Sequence, residues 1–201
     1  MGKIIISLIF CFSCSSYSQT ADEYYNRGND KNDAKDYLGA IADFTKVIKL
    51  NPNDGDAYFY RGIAKFALLD YRGAIADYTK YIELNPDISQ AYHNRGLAKT
   101  AMLDHSGAMD DYTKLIELNP KDDDAYNNRA LAESYLHDYR GALVDYNKAI
   151  EIDPEKNIIS YYNRGIIKLN LGHKDSACLD FSKAGELGYS LAYDAIKKYC
   201  N

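Results

Sequence analysis

Charged side chains recur at a fixed spacing along most of this 201-residue chain, and they are the first candidates for chemistry. In each of five places an arginine precedes an aspartate by sixteen residues. The arginines are Arg27, Arg61, Arg95, Arg129 and Arg164, and the aspartates are Asp43, Asp77, Asp111, Asp145 and Asp180. Two interpretations are open: structural ion pairs, within one segment or between neighbouring segments, or arginines that hold an acidic ligand. Because every arginine has a matching aspartate, we favour structural pairs.

No motif of catalytic chemistry accompanies these charges. Residues 19–201 contain no nucleophile elbow, phosphate-binding loop, HExxH pair or CxxC pair. His105, His137 and His173 recur along the chain at a spacing that separates them by roughly 10 Å, which is too far for a shared metal ion. The acidic runs at 53–56 and 122–124 lack the spaced ligands and closing glutamate of a calcium loop. We therefore predict that the chain is not an enzyme and holds no metal and no cofactor.

The first eighteen residues have the layout of a secretory signal peptide. Lys3 is followed by an apolar run from Ile4 to Phe12 and then by small polar residues. That run is about half of the ~20 residues that a membrane-spanning helix needs, and no later run is long enough to span. We predict cleavage of residues 1–18 and export to the periplasm or the medium. A retained N-terminal helix and a lipid anchor on Cys14 are the alternatives.

Two cysteines remain after residue 18, namely Cys178 and Cys200. An even number of cysteines in an oxidising compartment favours a disulfide. Such a bond would close a loop of about twenty residues and contribute ~3 kcal/mol. The alternative is two unpaired thiols, and the intact mass of the mature protein distinguishes the two.

The overall composition is that of an ordinary globular protein. The chain carries 24 Lys and Arg against 29 Asp and Glu, for a net charge of −5, and 46% of its residues are hydrophobic. This balance excludes a disordered polyelectrolyte. It also argues against nucleic acid as a partner, because phosphate binding needs a basic face.

These charges lie on a repeat of thirty-four residues. All four prolines, Pro52, Pro86, Pro120 and Pro154, are spaced at this interval, and each follows a matching segment such as IADYTKYIELNP. Upstream of each such segment stands a motif such as YYNRG or HNRG. Apolar residues recur at three- and four-residue spacing within the unit, which is typical of helices with one buried face. A period of this length predicts stacked units that bury their apolar faces only against their neighbours.

The pattern resembles the tetratricopeptide repeat (TPR), a unit of two antiparallel helices. The resemblance rests on an aromatic residue at position 4 of each unit, small residues at positions 8 and 20, and an aromatic residue at position 24. It implies an all-α fold, a right-handed solenoid of five helix–turn–helix repeats with a C-terminal capping helix. The units are 21–54, 55–88, 89–122, 123–156 and 158–188, and the capping helix is 190–199. Two positions depart from the family pattern. Position 7, which is usually leucine, is arginine in every unit, and position 11, which is often tyrosine, is lysine or glutamate.

The two ends of the predicted stack differ from its middle. The opening helix of unit one is polar nearly all round, so we expect it to be weakly held. In the capping helix we predict an apolar stripe of Leu191, Ala195, Ile196 and Tyr199. This stripe would cover the open end of the stack.

The resemblance also implies a partner-binding groove lined by the first helix of each unit. Asparagine dominates position 6, where its amide could pair with a peptide backbone or simply face water. Apolar residues occupy position 9. The predicted groove residues are Asn26, Phe59, Tyr60, Ile63, His93, Asn94, Leu97, Asn127, Asn128, Leu131, Tyr162, Asn163 and Ile166. We predict a scaffold that binds a protein or an extended peptide. The alternative is an envelope assembly or self-association module that acts through the ends or convex face of the solenoid.

Overall fold

The chain forms a stack of antiparallel helix pairs in a computed structural model that describes residues 20–200. The predicted signal peptide and the alternative anchor at Cys14 lie outside the described residues. Each helix packs against the next along the chain. The helices are α1 (Ala21–Asp33), α2 (Tyr37–Leu50), α3 (Gly55–Ala67), α4 (Tyr71–Leu84), α5 (Ser89–Ala101), α6 (His105–Leu118), α7 (Asp123–Tyr135), α8 (Tyr139–Ile152), α9 (Ile158–Asn170), α10 (Lys174–Glu186) and α11 (Ser190–Tyr199). The predicted all-α solenoid is confirmed.

Aspartate caps start the second helix of the first four units. Each cap carboxylate accepts a hydrogen bond of 3.0 Å from the backbone N–H of the glycine three residues later, which satisfies one orphan donor of the helix. The caps are Asp36, Asp70, Asp104 and Asp138. A Cβ atom at Gly39 would lie 2.1 Å from Oδ2 of Asp36. The recurring glycine therefore leaves room for the cap.

The core consists of one large ring per unit packed against small residues. Phe44, Tyr78, Tyr112, Tyr146 and Phe181 are at most 2% exposed. The ring of Tyr78 lies so close to α3 that a Cβ atom at Gly62 would be 2.7 Å from its Cε1 atom. Small residues at position 8 thus allow the two helices of a unit to approach each other closely.

Both ends of the stack are held by local devices. In α1 only Gly28 is buried, so little apolar packing holds this polar helix. A capping box formed by Thr20 and Glu23 stabilises its first turn. At the other end, a disulfide joins Cys178 of α10 to Cys200. The predicted bond is therefore present.

The apolar stripe of α11 differs from the prediction by one residue. Ala192 and Ala195 are buried, whereas Leu191 is 52% exposed. Residues 192, 195, 196 and 199 follow the spacing of one helix face, and residue 191 lies about 100° away from it. Among residues 20–200, no helix is long and apolar enough to span a membrane.

Candidate functional site

The arginine–aspartate pairs hold the two helices of each unit together. In all five pairs Nε of the arginine donates to Oδ2 of the aspartate sixteen residues later, at 2.6–3.0 Å. The aspartates are 2–4% exposed. The hydrogen bond from Arg27, followed by that from Lys31, lowers the pKa of the Asp43 carboxyl, although burial opposes the shift. The pairs form within a unit, so these arginines are already engaged by protein carboxylates.

The same arginines also link neighbouring units. Nη1 of Arg95 donates to the Thr79 hydroxyl of the preceding unit at 3.1 Å, and Arg61 and Arg129 bond threonines in the same way. Each guanidinium lies 5.0–5.8 Å from the centre of the position 4 tyrosine ring of its own unit, within the range of a cation–π contact. The stacking of one unit on the next is therefore coupled to the pair within it.

Two apolar cavities open between the first helices of neighbouring units. The unit 2–3 cavity has a volume of about 320 Å³ and is lined by Ile63, Phe66, Tyr78, Gln90, Asn94 and Leu97. The unit 4–5 cavity has a volume of about 210 Å³ and is lined by Leu131, Ser134, Tyr135, Tyr139, Tyr146, Asn163, Ile166, Ile167 and Asn170. Both are concave, mostly apolar and edged by side-chain amides, which is the usual character of a binding site.

Six of the predicted groove residues line these two cavities. They are Ile63, Asn94, Leu97, Leu131, Asn163 and Ile166. His93 lines a separate polar hollow with Gln90 and Asp124. Asn26 is exposed and Asn128 half-buried, and neither forms a side-chain hydrogen bond to the rest of residues 20–200.

The other four predicted groove residues contact neighbouring units or helices. Tyr60 packs between Tyr25 and Phe44 of unit one, and the Phe59 ring contacts that of Tyr81 at 5.0 Å. Tyr162 packs against Phe181 and Tyr189. The Asn127 amide oxygen accepts a 2.8 Å hydrogen bond from Ser160. These side chains are packed within the stack, and only the rest of their surface is accessible to solvent.

Several cavity residues were not among the predicted groove residues. Gln90, Phe66, Ser134, Tyr135 and Asn170 stand at positions 2, 12 and 13 of their units, which the TPR pattern also places on the groove, so that pattern contained the signal. Tyr78 and Tyr146 stand at position 24, where the pattern predicts core packing. Their contribution to the cavities becomes visible only in three dimensions.

Comparison with known proteins identifies the same architecture. Sequence profiles of the tetratricopeptide repeat match residues 25–87, 89–122 and 123–156, about two thirds of the chain. Among curated proteins, none matches the sequence significantly.

Three solved structures illustrate the similarity. A crystal structure of MamA is 28% identical, with a TM-score of 0.78 over 83% of this chain and 96% of that one. A truncated MamA from Desulfovibrio magneticus RS-1 is 22% identical, with a TM-score of 0.80 over 85% and 96%. YrrB, described as a TPR protein with an unusual peptide-binding site, is 20% identical, with a TM-score of 0.80 over 89% and 92%. The last two likenesses show the fold alone. The chain belongs to the tetratricopeptide repeat family, whose members are typically non-catalytic scaffolds for protein interactions.

Proposed function

We propose that this chain binds an extended segment of a partner protein along the inner surface formed by α3, α5, α7 and α9. One observation carries the proposal: the two apolar cavities lie on this surface and are edged by side-chain amides. Apolar pockets accept side chains, whereas amides pair with the main chain. This combination suits a peptide in extended form.

The amides retain the hydrogen-bonding capacity that the proposal needs. Asn94 accepts a 3.2 Å hydrogen bond from Gln90 through its oxygen, and its NH₂ group forms no bond within residues 20–200. Asn128 is uncommitted within the same range. An asparagine side chain offers both donors and an acceptor, so these two residues can pair with the C=O and N–H groups of a peptide.

A double substitution tests the proposal. Asn94→Ala combined with Asn128→Ala removes the main-chain contacts and leaves the stack intact, because neither amide bridges two helices. With a purified partner that co-purifies with the unaltered chain, we expect affinity measured by calorimetry to fall roughly tenfold or more, since each hydrogen bond contributes ~1 kcal/mol.

The matched control is a double substitution away from the groove. Glu117 and Glu151 are strongly exposed on second helices, with side chains 59% and 70% exposed, and changing both to alanine should leave affinity unaltered. Circular dichroism checks the fold of both variants. Unchanged affinity in the asparagine variant would refute the proposed function.

A further inference from the structure

We propose that the bound segment carries two tyrosine or tryptophan side chains six residues apart, one in each cavity, flanked by lysine or arginine. This inference rests on the proposed function and specifies the partner chemistry that the site selects. Three features carry it: unpaired hydroxyl groups in the cavities, the distance between the cavities, and the charge of the surface around them.

Each cavity is lined by a tyrosine whose hydroxyl forms no hydrogen bond within residues 20–200, and in Tyr146 that hydroxyl is also buried. Tyr146 is fully buried, and its hydroxyl has no partner in the described part of the chain. Burial raises the pKa of this hydroxyl, and the nearby Ser134 and Asn163 side chains oppose the shift, but neither meets the geometry of a hydrogen bond to it. Tyr78, 2% exposed, lines the unit 2–3 cavity together with Phe66, and its hydroxyl likewise forms no hydrogen bond within residues 20–200.

Unit three, which contributes no such ring to these cavities, differs in this respect. There the Tyr112 hydroxyl is 3.3 Å from the Thr100 hydroxyl and within hydrogen-bond reach. The tyrosine hydroxyl at position 24 thus has a hydrogen-bond partner in unit three and none within residues 20–200 in units two and four. A ligand side chain with an apolar body and a polar tip would fill the cavity and pair with the hydroxyl, and tyrosine and tryptophan have this character.

The separation of the cavities determines the spacing along the ligand. They lie two repeats apart, and a repeat advances the stack by roughly 10 Å, so the distance between them is about 20 Å. An extended chain rises about 3.3 Å per residue, which gives six residues. Because side chains alternate between faces, only an even separation directs both toward the surface.

Charge selects the flanking residues. No lysine or arginine occupies positions 2, 5, 6, 9, 12 or 13 of any unit, whereas Asp22, Asp56 and Asp124 are exposed at position 2. Asp124 lies 2.9 Å from the exposed Lys156, and neither Asp22 nor Asp56 forms an ion pair within residues 20–200. The surface therefore attracts cationic side chains and disfavours acidic ones.

Two synthetic peptides of identical composition test the spacing. The first is Lys-Tyr-Ser-Thr-Ser-Thr-Ser-Tyr-Lys, with its tyrosines six residues apart, and the second is Lys-Tyr-Ser-Thr-Ser-Thr-Tyr-Ser-Lys, with its tyrosines five residues apart. We expect the first to bind at least about tenfold tighter in a fluorescence-anisotropy titration, because the odd spacing leaves one ring in solvent. Equal affinities, or no binding of the first peptide, would overturn the inference.

A pair of matched variants tests the hydroxyl contact. Tyr146→Phe removes an unpaired hydroxyl and keeps the ring, so it should weaken binding of the first peptide about 3- to 10-fold without lowering thermal stability. Tyr112→Phe removes a hydroxyl already bonded to Thr100, so it should leave peptide affinity unchanged. Equal effects of the two variants would contradict the assignment of tyrosine or tryptophan tips.

These experiments separate the inference from the proposed function. If the asparagine variant loses its partner while the two peptides bind alike, the spacing rule fails and the groove function stands. If the asparagine variant keeps full affinity for its partner, the groove function itself fails.

Discussion

Replacing Glu133 by glutamine should stabilise the protein in a pH-dependent manner. The lysines at position 11 of the other four units place Nζ 2.7–2.9 Å from Oδ2 of the buried aspartate. In unit four a glutamate stands at this position, and Oε2 of Glu133 is buried without a hydrogen-bond partner. Asp145 keeps its arginine, Arg129, but gains a second carboxylate where the other units supply a cation.

The pKa of Glu133 sets the size of the effect. The pKa of this carboxyl is raised from 4.5 to about 7, chiefly by burial. The negative charges of Asp145 and Asp138 also raise the pKa, whereas the positive charge of Arg129 lowers it. A difference of about 2.5 pH units, at about 1.36 kcal/mol per unit, corresponds to about 3 kcal/mol. Because the side chain keeps partial contact with solvent, screening reduces the expected value to about 1–2 kcal/mol.

The sign follows from proton binding. Between pH 4.5 and about 7 the folded chain holds a proton on Glu133 that the unfolded chain has released, so folding loses stability as the pH rises through this window. Above pH 7 the ionised carboxylate destabilises the fold in full, and below pH 4.5 the penalty is absent. Glu133→Gln should therefore be more stable than the unaltered chain by about 1–2 kcal/mol at pH 8, and the difference should largely vanish at pH 5.

Urea unfolding followed by helical circular dichroism at both pH values measures this difference. A matched control places the same carboxylate in unit three: Lys99→Glu, beside Asp111, should lower stability and introduce the same pH dependence. A Glu133→Gln advantage of equal size at pH 5 and pH 8 would refute the reasoning, because it would show that the carboxylate does not titrate in this window.

Two further predictions concern the remaining contacts of the stack. Asp111→Ala strands Arg95 and Lys99 and should cost ~3–5 kcal/mol, whereas Glu117→Ala, which breaks an exposed pair with Lys114, should cost under ~0.5 kcal/mol; similar urea midpoints for the two variants would contradict the structural role of the buried pair. Cys200→Ser opens a loop with a sequence separation of 22 residues and should cost ~3 kcal/mol. Hydrogen exchange should locate the loss in α11, and unchanged protection there would show that the disulfide does not hold the cap.

The fold was predictable from the sequence because the contacts of a stacked repeat are local. A period of thirty-four residues, with one residue inserted before the fifth unit, places the rings and the small residues at regular intervals, and similar units can bury those residues in one repeated way. The sixteen-residue offset between Arg95 and Asp111 predicted an ion pair, but it left open whether the pair forms within one unit or between two neighbouring units. The structure places the pair within a unit and assigns the link between units to the Arg95–Thr79 hydrogen bond.

The sequence alone determined the helix pairs and their number. The tertiary structure decided what the irregular residues do. Ser160 donates a hydrogen bond to Asn127, whereas the Asn128 side chain forms none within residues 20–200. At position 12 of their units, Phe66 and Ser134 line cavities, whereas Thr100 lies within hydrogen-bond reach of the Tyr112 hydroxyl. Glu133 meets a buried aspartate that elsewhere meets a lysine. Each of these outcomes depends on side chains from two or three helices that meet in space, and a one-dimensional period carries no information about how such side chains pack together.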